Sequence, residues 1–136
     1  MNLAVDASVA LKRFFRGRDE EEHVDQVLAI LVAMNTDRLQ MSQPPHFLAE
    51  MAAVLAREKP DGVQDDLIDL QNIAWRLIDG TTIYSTAVNL SIRLQHHLFD
   101  TLYHAAALHI PDAKLITANS RYYDKARVEG QICTTR

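Results

Sequence analysis

Three acidic residues of this chain stand in apolar surroundings, in widely separated parts of the sequence. Asp6 ends the run 2–6, Glu50 lies within the apolar stretch 47–55, and Asp100 opens an alanine-rich segment. Burying a carboxylate is costly unless it has a partner, and converging carboxylates repel one another. A divalent cation relieves both problems, and carboxylate oxygens suit Mg²⁺ or Mn²⁺. The sequence therefore predicts a metal site assembled from distant parts of the chain.

Each of these acids also has a structural interpretation, and both interpretations stay open. Asp6 and Asp100 each precede or begin a predicted helix, where aspartate serves as an N-cap or complements the helix dipole. Glu50 lies mid-helix, at the edge of an apolar stripe, and is otherwise an exposed surface residue.

Further polar residues stand near these positions. Asn119 follows a predicted strand and precedes a helix, so it is a candidate site residue or an N-cap. Ser8 lies two residues after Asp6 and can hydrogen-bond either a metal-bound water or the backbone of the turn. The pair His96-His97 matches no zinc spacing, and we interpret the six histidines mostly as surface or core residues.

Composition restricts the class of protein. A chain of 136 residues predicts one domain, residues 1–136. The single cysteine, Cys133, excludes an internal disulfide and fits the cytoplasm. No apolar run reaches membrane-spanning length, and no signal peptide is recognisable. Walker A, GxGxxG and GxSxG sequences are absent, which removes support for nucleotide binding or serine hydrolysis.

The net charge of −4 argues against a general nucleic-acid coat protein. Acidic runs at 19–22 and 61–69 are typical of solvated helix faces. Two basic groups admit either phosphate contact or a role in solubility. They consist of Lys12, Arg13, Arg16 and Arg18, and of Arg121, Lys125 and Arg127.

Strands and helices are predicted to alternate, which favours an α/β fold with a mainly parallel sheet. The predicted strands are 3–5, 38–42, 81–84, 114–117 and 131–134. The predicted helices are 7–15, 21–34, 44–57, 67–78, 87–94, 100–110 and 121–127. Because ligands bind at the carboxyl ends of such strands, Asp6 and Asn119 are expected at the same edge of the sheet.

The order of four segments resembles the PIN-domain ribonucleases, and more narrowly the toxins of VapBC-type toxin–antitoxin pairs. These segments are Val5-Asp6-Ala7-Ser8-Val9, Leu48-Ala49-Glu50-Met51, Phe99-Asp100-Thr101-Leu102-Tyr103-His104-Ala105-Ala106-Ala107 and Leu115-Ile116-Thr117-Ala118-Asn119. The resemblance covers essentially the full length of the chain. It implies a three-layer α/β/α sandwich with a mainly parallel central sheet.

The resemblance also implies a site. Asp6, Glu50 and Asp100 match three of the family's acidic positions, and the fourth falls on Asn119, which keeps an oxygen donor but loses a charge. Asp6 and Asp100 would bind Mg²⁺ or Mn²⁺, and Asp124 is a conceivable substitute for the missing acid. The implied function is a metal-dependent endoribonuclease, the toxin of a pair, with an RNA substrate, a cognate antitoxin and a homodimeric state. The alternative is a non-catalytic or weakly catalytic PIN-like binding module.

Overall fold

The computed structural model describes residues 2–15 and 39–135. In these ranges the strands are β1 (Asn2–Val5), β2 (Gln40–Gln43), β3 (Trp75–Leu77), β4 (Ala113–Thr117) and β5 (Ile132–Thr134). The α-helices are α1 (Ala7–Ala10), α2 (Phe47–Glu58), α3 (Val63–Asn72), α4 (Thr81–Leu94), α5 (Leu98–Leu108) and α6 (Ser120–Ala126). Short 3₁₀ helices occupy Leu11–Phe15 and Arg127–Glu129. The predicted helix 21–34, the acidic run 19–22 and the basic residues Arg16 and Arg18 lie outside the described residues.

The five strands form one parallel sheet in the order β3-β2-β1-β4-β5. The chain runs outward from β1 in one direction and then returns to place β4 on its other side. Such a reversal opens a crevice at the carboxyl ends of the two central strands, where α/β proteins bind ligands. The register pairs Val5 with Ile116, so Asp6 and Thr117 follow at the same level of this crevice.

Helices cover both faces of the sheet, and the expected three-layer α/β/α sandwich is confirmed. The main core combines the inward side chains of β1, β2 and β4 with those of α2, α5 and α6. A smaller cluster joins α4 to α5 through Ile83, Ala87, Leu102 and Ala105. Because α5 contributes to both clusters, the helix that carries Asp100 in its first turn is well buried.

Two predicted elements are wrong. The segment 81–84 was expected to be a strand from its β-branched residues, but it is the first turn of α4. Ile83, Ala87 and Leu90 repeat at helical spacing and are all buried, so tertiary packing overrides the local propensity. The helix expected through Ile78 ends at Asn72, because Trp75–Leu77 pair with Met41, Ser42 and Gln43 and extend the sheet.

One buried side chain completes the sheet beside the crevice. The Gln43 amide accepts a hydrogen bond from Val5 N (2.8 Å) and donates one to Val5 O (2.7 Å). β1 and β2 pair at Asn2 and Leu3, and the Gln43 side chain extends the hydrogen bonding between them to Val5. Its side chain thereby fixes the residue that precedes Asp6.

In the ranges that the structure describes, no helix combines the length and the apolar character that crossing a bilayer requires.

Candidate metal centre

Asp6 follows β1 directly and lies at the amino terminus of α1. Its Oδ1 accepts a hydrogen bond from Ser8 N (3.0 Å), which makes it the N-cap of that helix. Its Oδ2 accepts one from the Thr117 hydroxyl (3.0 Å), across the crevice on β4. The side chain is buried, and both of these donors are neutral. Asp6 therefore caps a helix and remains a buried charge that other groups must balance.

The acidity of Asp6 reflects this setting. Burial raises its pKa from 3.8 to about 6, and the nearby charges of Asp100 and Glu50 push the pKa in the same direction. The hydrogen bonds from Ser8 and Thr117 oppose the shift without cancelling it. Asp100 and Glu50 are therefore close enough to Asp6 for their charges to affect its pKa.

Asp100 is 8% exposed and sits in the first turn of α5. Its Oδ2 lies 2.6 Å from His96 Nε2, 3.3 Å from His97 Nε2 and 3.4 Å from Asn119 Nδ2. These contacts all use the same oxygen, so they fix the orientation of the carboxylate. The side chain is thus not the N-cap of α5, one of the interpretations that the sequence had left open.

Asn119 follows β4 and caps α6. Its Oδ1 accepts a hydrogen bond from Tyr122 N (3.0 Å), while its Nδ2 donates to Asp100. The capping interpretation drawn from the sequence therefore holds, and the same amide also contacts Asp100. The role of Asn119 as a site residue stays a prediction. Asp124, the conceivable substitute acid, lies exposed on α6.

Glu50 occupies the first turn of α2 and is partly exposed. Its Oε2 accepts a hydrogen bond from the buried Tyr103 hydroxyl (3.3 Å) and lies 3.2 Å from His46 Nε2. Burial raises the pKa of the Tyr103 phenol, and the charges of Glu50, Asp6 and Asp100 raise it further. Tyr103 therefore stays protonated, donates to Glu50 and lies within the field of all three acids.

The histidines next to Asp100 were not expected in the site. His96, His97 and Asp100 offer donor atoms that lie within 4.8 Å of one another. The sequence signal was their closeness along the chain, since the histidines precede Asp100 by three and four residues, although neither of them lies within α5. It was overlooked because the histidines themselves are adjacent.

Ser8 serves the turn. Its main-chain N–H donates to Asp6, and its hydroxyl oxygen accepts a hydrogen bond from Ala118 N at 3.4 Å. The second of these contacts ties the start of α1 to the loop after β4. Ser8 therefore links the β1 side of the crevice to its β4 side.

An apolar cleft of about 280 Å³ opens beside Glu50. Its walls come from α2 and the start of α5, and Phe99 is 59% exposed there. The residues that line it are His46, Ala49, Glu50, Ala53 and Phe99.

Comparisons with known proteins identify the fold. No family model matches the sequence, and no curated protein matches it. Among solved structures, a chain in the crystal structure of VapBC2 from Rickettsia felis, bound to a DNA fragment from their promoter, is similar over 98% of both chains. The TM-score is 0.70 and the sequence identity is 14%. The resemblance to PIN domains of the VapC type is thereby confirmed as a likeness of fold.

Proposed function

We propose that this chain is a metal-dependent endoribonuclease of the VapC type, the toxin of a toxin–antitoxin pair. The observation that carries the proposal is that Asp6, at the reversal of strand order, is buried and lies near the negative charges of Asp100 and Glu50. A fold alone does not specify an activity, so the argument rests on this site. An excess of buried negative charge at a ligand-binding crevice is what a hard cation requires.

The donor set fits Mg²⁺ or Mn²⁺. Asp6 and Asp100 are the proposed ligands, with Glu50 and Asn119 beside them as further site residues. The raised pKa of Asp6 supports this assignment, since a buried carboxylate with two neutral donors gains most from a nearby positive charge. Asn119 supplies a hydrogen bond to Asp100 where a fourth acid would have added charge.

When bound, such a cation polarises a phosphate oxygen and lowers the pKa of a coordinated water, which favours hydrolysis of a phosphodiester. The protein's own contribution is to hold the carboxylates in place. Thr117 and the Ser8 N–H orient Asp6, and Tyr103 orients Glu50. Asp100, fixed through Oδ2, is the proposed residue that orients the attacking water.

The proposal is tested by incubating purified protein with total RNA, with Mg²⁺, Mn²⁺ or EDTA. Cleavage that requires the cation is expected, and Asp100→Asn should abolish it while circular dichroism shows an intact fold. Asp112→Asn is the matched control, because Asp112 is exposed in the turn that precedes β4. Full activity of Asp100→Asn would remove the acid-cluster mechanism.

A second candidate is a non-catalytic or weakly catalytic PIN-like binding module. Asn119 favours it, because its amide is used for capping and for a hydrogen bond to Asp100 and adds no charge to the site. RNA that is bound without being cut, in Mg²⁺ and in Mn²⁺, would select this candidate.

We also propose a cognate antitoxin, a homodimer and a cytoplasmic location. The cleft beside Glu50 supports the first of these, because an amphipathic helix could fill it and place an arginine or lysine against the acids. The predicted helix 21–34, which this proposal also assigns to the groove, lies outside the described residues. A pull-down with the product of the neighbouring gene tests the partner, and failure of a folded toxin to capture that product would contradict it.

A further inference from the structure

His96, His97 and Asp100 form a mixed nitrogen and oxygen cluster at the start of α5. Their donor atoms lie within 4.8 Å of one another. The two imidazole rings stack in parallel, with centroids 5.0 Å apart and planes inclined by 24°. Both Nε2 atoms lie near the same oxygen of Asp100, at 2.6 Å for His96 and 3.3 Å for His97.

From this arrangement we infer a second kind of cation site, in which His96 Nε2, His97 Nε2 and Asp100 bind a borderline transition metal ion such as Zn²⁺ or Co²⁺. Imidazole and carboxylate together favour these ions over Mg²⁺, which prefers oxygen ligands alone. Two histidines and one carboxylate also make up the ligand set of zinc sites that keep one position open.

Two of the three donor separations can be compared with those expected around such an ion. Donor atoms about 2.0–2.2 Å from a tetrahedral Zn²⁺ are about 3.3–3.5 Å from one another. The 3.3 Å separation of His97 Nε2 from Asp100 Oδ2 already has this value. His96 Nε2, at 2.6 Å from Asp100 Oδ2, would need to retreat by less than 1 Å. The His97 side chain is 70% exposed, which leaves the ion a path from solvent.

Lys125 should lower the affinity of this site for a metal ion. Its Nζ donates to Gln95 O (3.0 Å) and lies 3.3 Å from His96 Nδ1. A lysine that donates to Nδ1 leaves the imidazole proton on Nε2, where it is shared with Asp100. Metal binding at Nε2 requires that proton to move to Nδ1, so Lys125 must release its contact with His96.

The site is not the Mg²⁺ site of the proposed function, although the two share Asp100. The described contacts of Asp100 all use Oδ2, which lies next to His96 and His97. The described contacts of Glu50 are instead with Tyr103 and His46. An ion held by the histidines would therefore compete with Mg²⁺ for Asp100. The inference does not depend on ribonuclease activity.

The test titrates Co²⁺ into the metal-free protein and follows the visible absorption that nitrogen-ligated Co²⁺ gives, without RNA. One equivalent should bind, Zn²⁺ should displace it, and a hundredfold excess of Mg²⁺ should not. His97→Gln should weaken Co²⁺ binding at least tenfold, while His109→Gln, an exposed histidine near the end of α5, should not change it. His97 is exposed, so its replacement should leave the fold intact.

Two further variants distinguish the inferred metal site from ordinary binding of Co²⁺ to a surface histidine. Lys125→Met should tighten Co²⁺ binding severalfold, because it removes both a competing donor and a positive charge. Glu50→Gln should leave Co²⁺ binding unchanged even if it abolishes RNA cleavage, which separates this site from the proposed function. Equal Co²⁺ affinity of the native protein and His97→Gln, or displacement of Co²⁺ by a hundredfold excess of Mg²⁺, would overturn the inference.

Discussion

The buried carboxylate of Asp6 accepts hydrogen bonds from two neutral donors and lies near the negative charges of Asp100 and Glu50. Its pKa of about 6 means that the folded protein holds the proton more tightly than the unfolded chain does. Ionised Asp6 therefore destabilises the metal-free fold, and a bound cation should reverse this effect.

We expect the contribution of Asp6 to stability to be most favourable below about pH 4 and to be lost as the pH rises through about 6. The loss should level off above this window, at up to about 3 kcal/mol for the shift of about two pH units. Urea unfolding in EDTA from pH 4 to 8 measures it as the difference between native protein and Asp6→Asn. In this difference the titrating groups that do not interact with Asp6 cancel. A difference that does not grow with pH would contradict the prediction, and Asp112→Asn should show no such trend.

Asn119 is the position at which a single charge can be added to the cluster. Asn119→Asp should keep the cap of α6 but place an anionic oxygen where Nδ2 now lies, 3.4 Å from Asp100. We expect Mn²⁺ affinity in titration calorimetry to rise about five- to tenfold, a gain of about 1 kcal/mol. Without metal the same variant should melt at a lower temperature.

Asn119→Ser is the control, because serine retains the capping ability without the charge. If Asn119→Asp and Asn119→Ser bind Mn²⁺ equally, Asn119 acts only as a cap.

At the scale of elements, the crevice depends on how β1 is held between β2 and β4. The Gln43 side chain satisfies both backbone groups of Val5, the residue before Asp6. Gln43→Ala should leave these buried groups without partners and cost about 2–5 kcal/mol of unfolding free energy. Mn²⁺ affinity should fall as well, since Asp6 is no longer fixed.

Gln40→Ala is the matched control for that prediction. Gln40 lies on the same strand but is exposed, so its replacement should change the unfolding free energy by less than about 0.5 kcal/mol. Equal losses for the two variants would show that the Gln43 bridge to β1 has no special role.

The link between α5 and the carboxyl-terminal segment is also specific. His104 is fully buried, with Nε2 2.8 Å from Gly130 O and Nδ1 2.9 Å from the Tyr122 hydroxyl. Since a carbonyl only accepts, Nε2 carries the proton and the Tyr122 hydroxyl donates to Nδ1. Burial lowers the pKa of His104, which keeps this neutral arrangement. The helix that bears Asp100 is thereby tied to α6, which Asn119 caps.

At the scale of the whole molecule, α4 presents an apolar stripe to solvent. Tyr84, Val88 and Ile92 repeat every four residues on one face and are 40%, 43% and 72% exposed. The opposite face of α4 packs on α5. Because the other face of α4 is already packed on α5, this exposed apolar stripe is a candidate surface for the proposed homodimer.

We therefore expect a dimer in light scattering coupled to size exclusion, and expect Ile92→Glu to convert it to a folded monomer. Thr82→Glu adds the same charge at an exposed position on another face of α4 and should leave the dimer intact. A native protein that is monomeric at micromolar concentration, or a dimer that survives Ile92→Glu, would exclude this face of α4 as the dimer interface.

The sequence by itself determined much of this protein. Apolar runs of β1 and β4 and the alternation of elements predicted the parallel sheet, because buried strands must be apolar whatever surrounds them. Asp6 and Asn119 were expected at one edge of the sheet because parallel strands end there. Glu50 and Asp100 were assigned to the same site by the family resemblance that the order of the four segments carries.

Only the tertiary structure decided the rest. Whether 81–84 formed a strand or a helix, and whether Trp75–Leu77 left a helix to join the sheet, depended on packing partners far away in sequence. The amide of Asn119 and the imidazole of His96 likewise acquired their roles from neighbours on other elements, Asp100 and Lys125. A hydrogen bond requires a particular distance and direction between two groups, and neither is encoded in residue type or spacing alone.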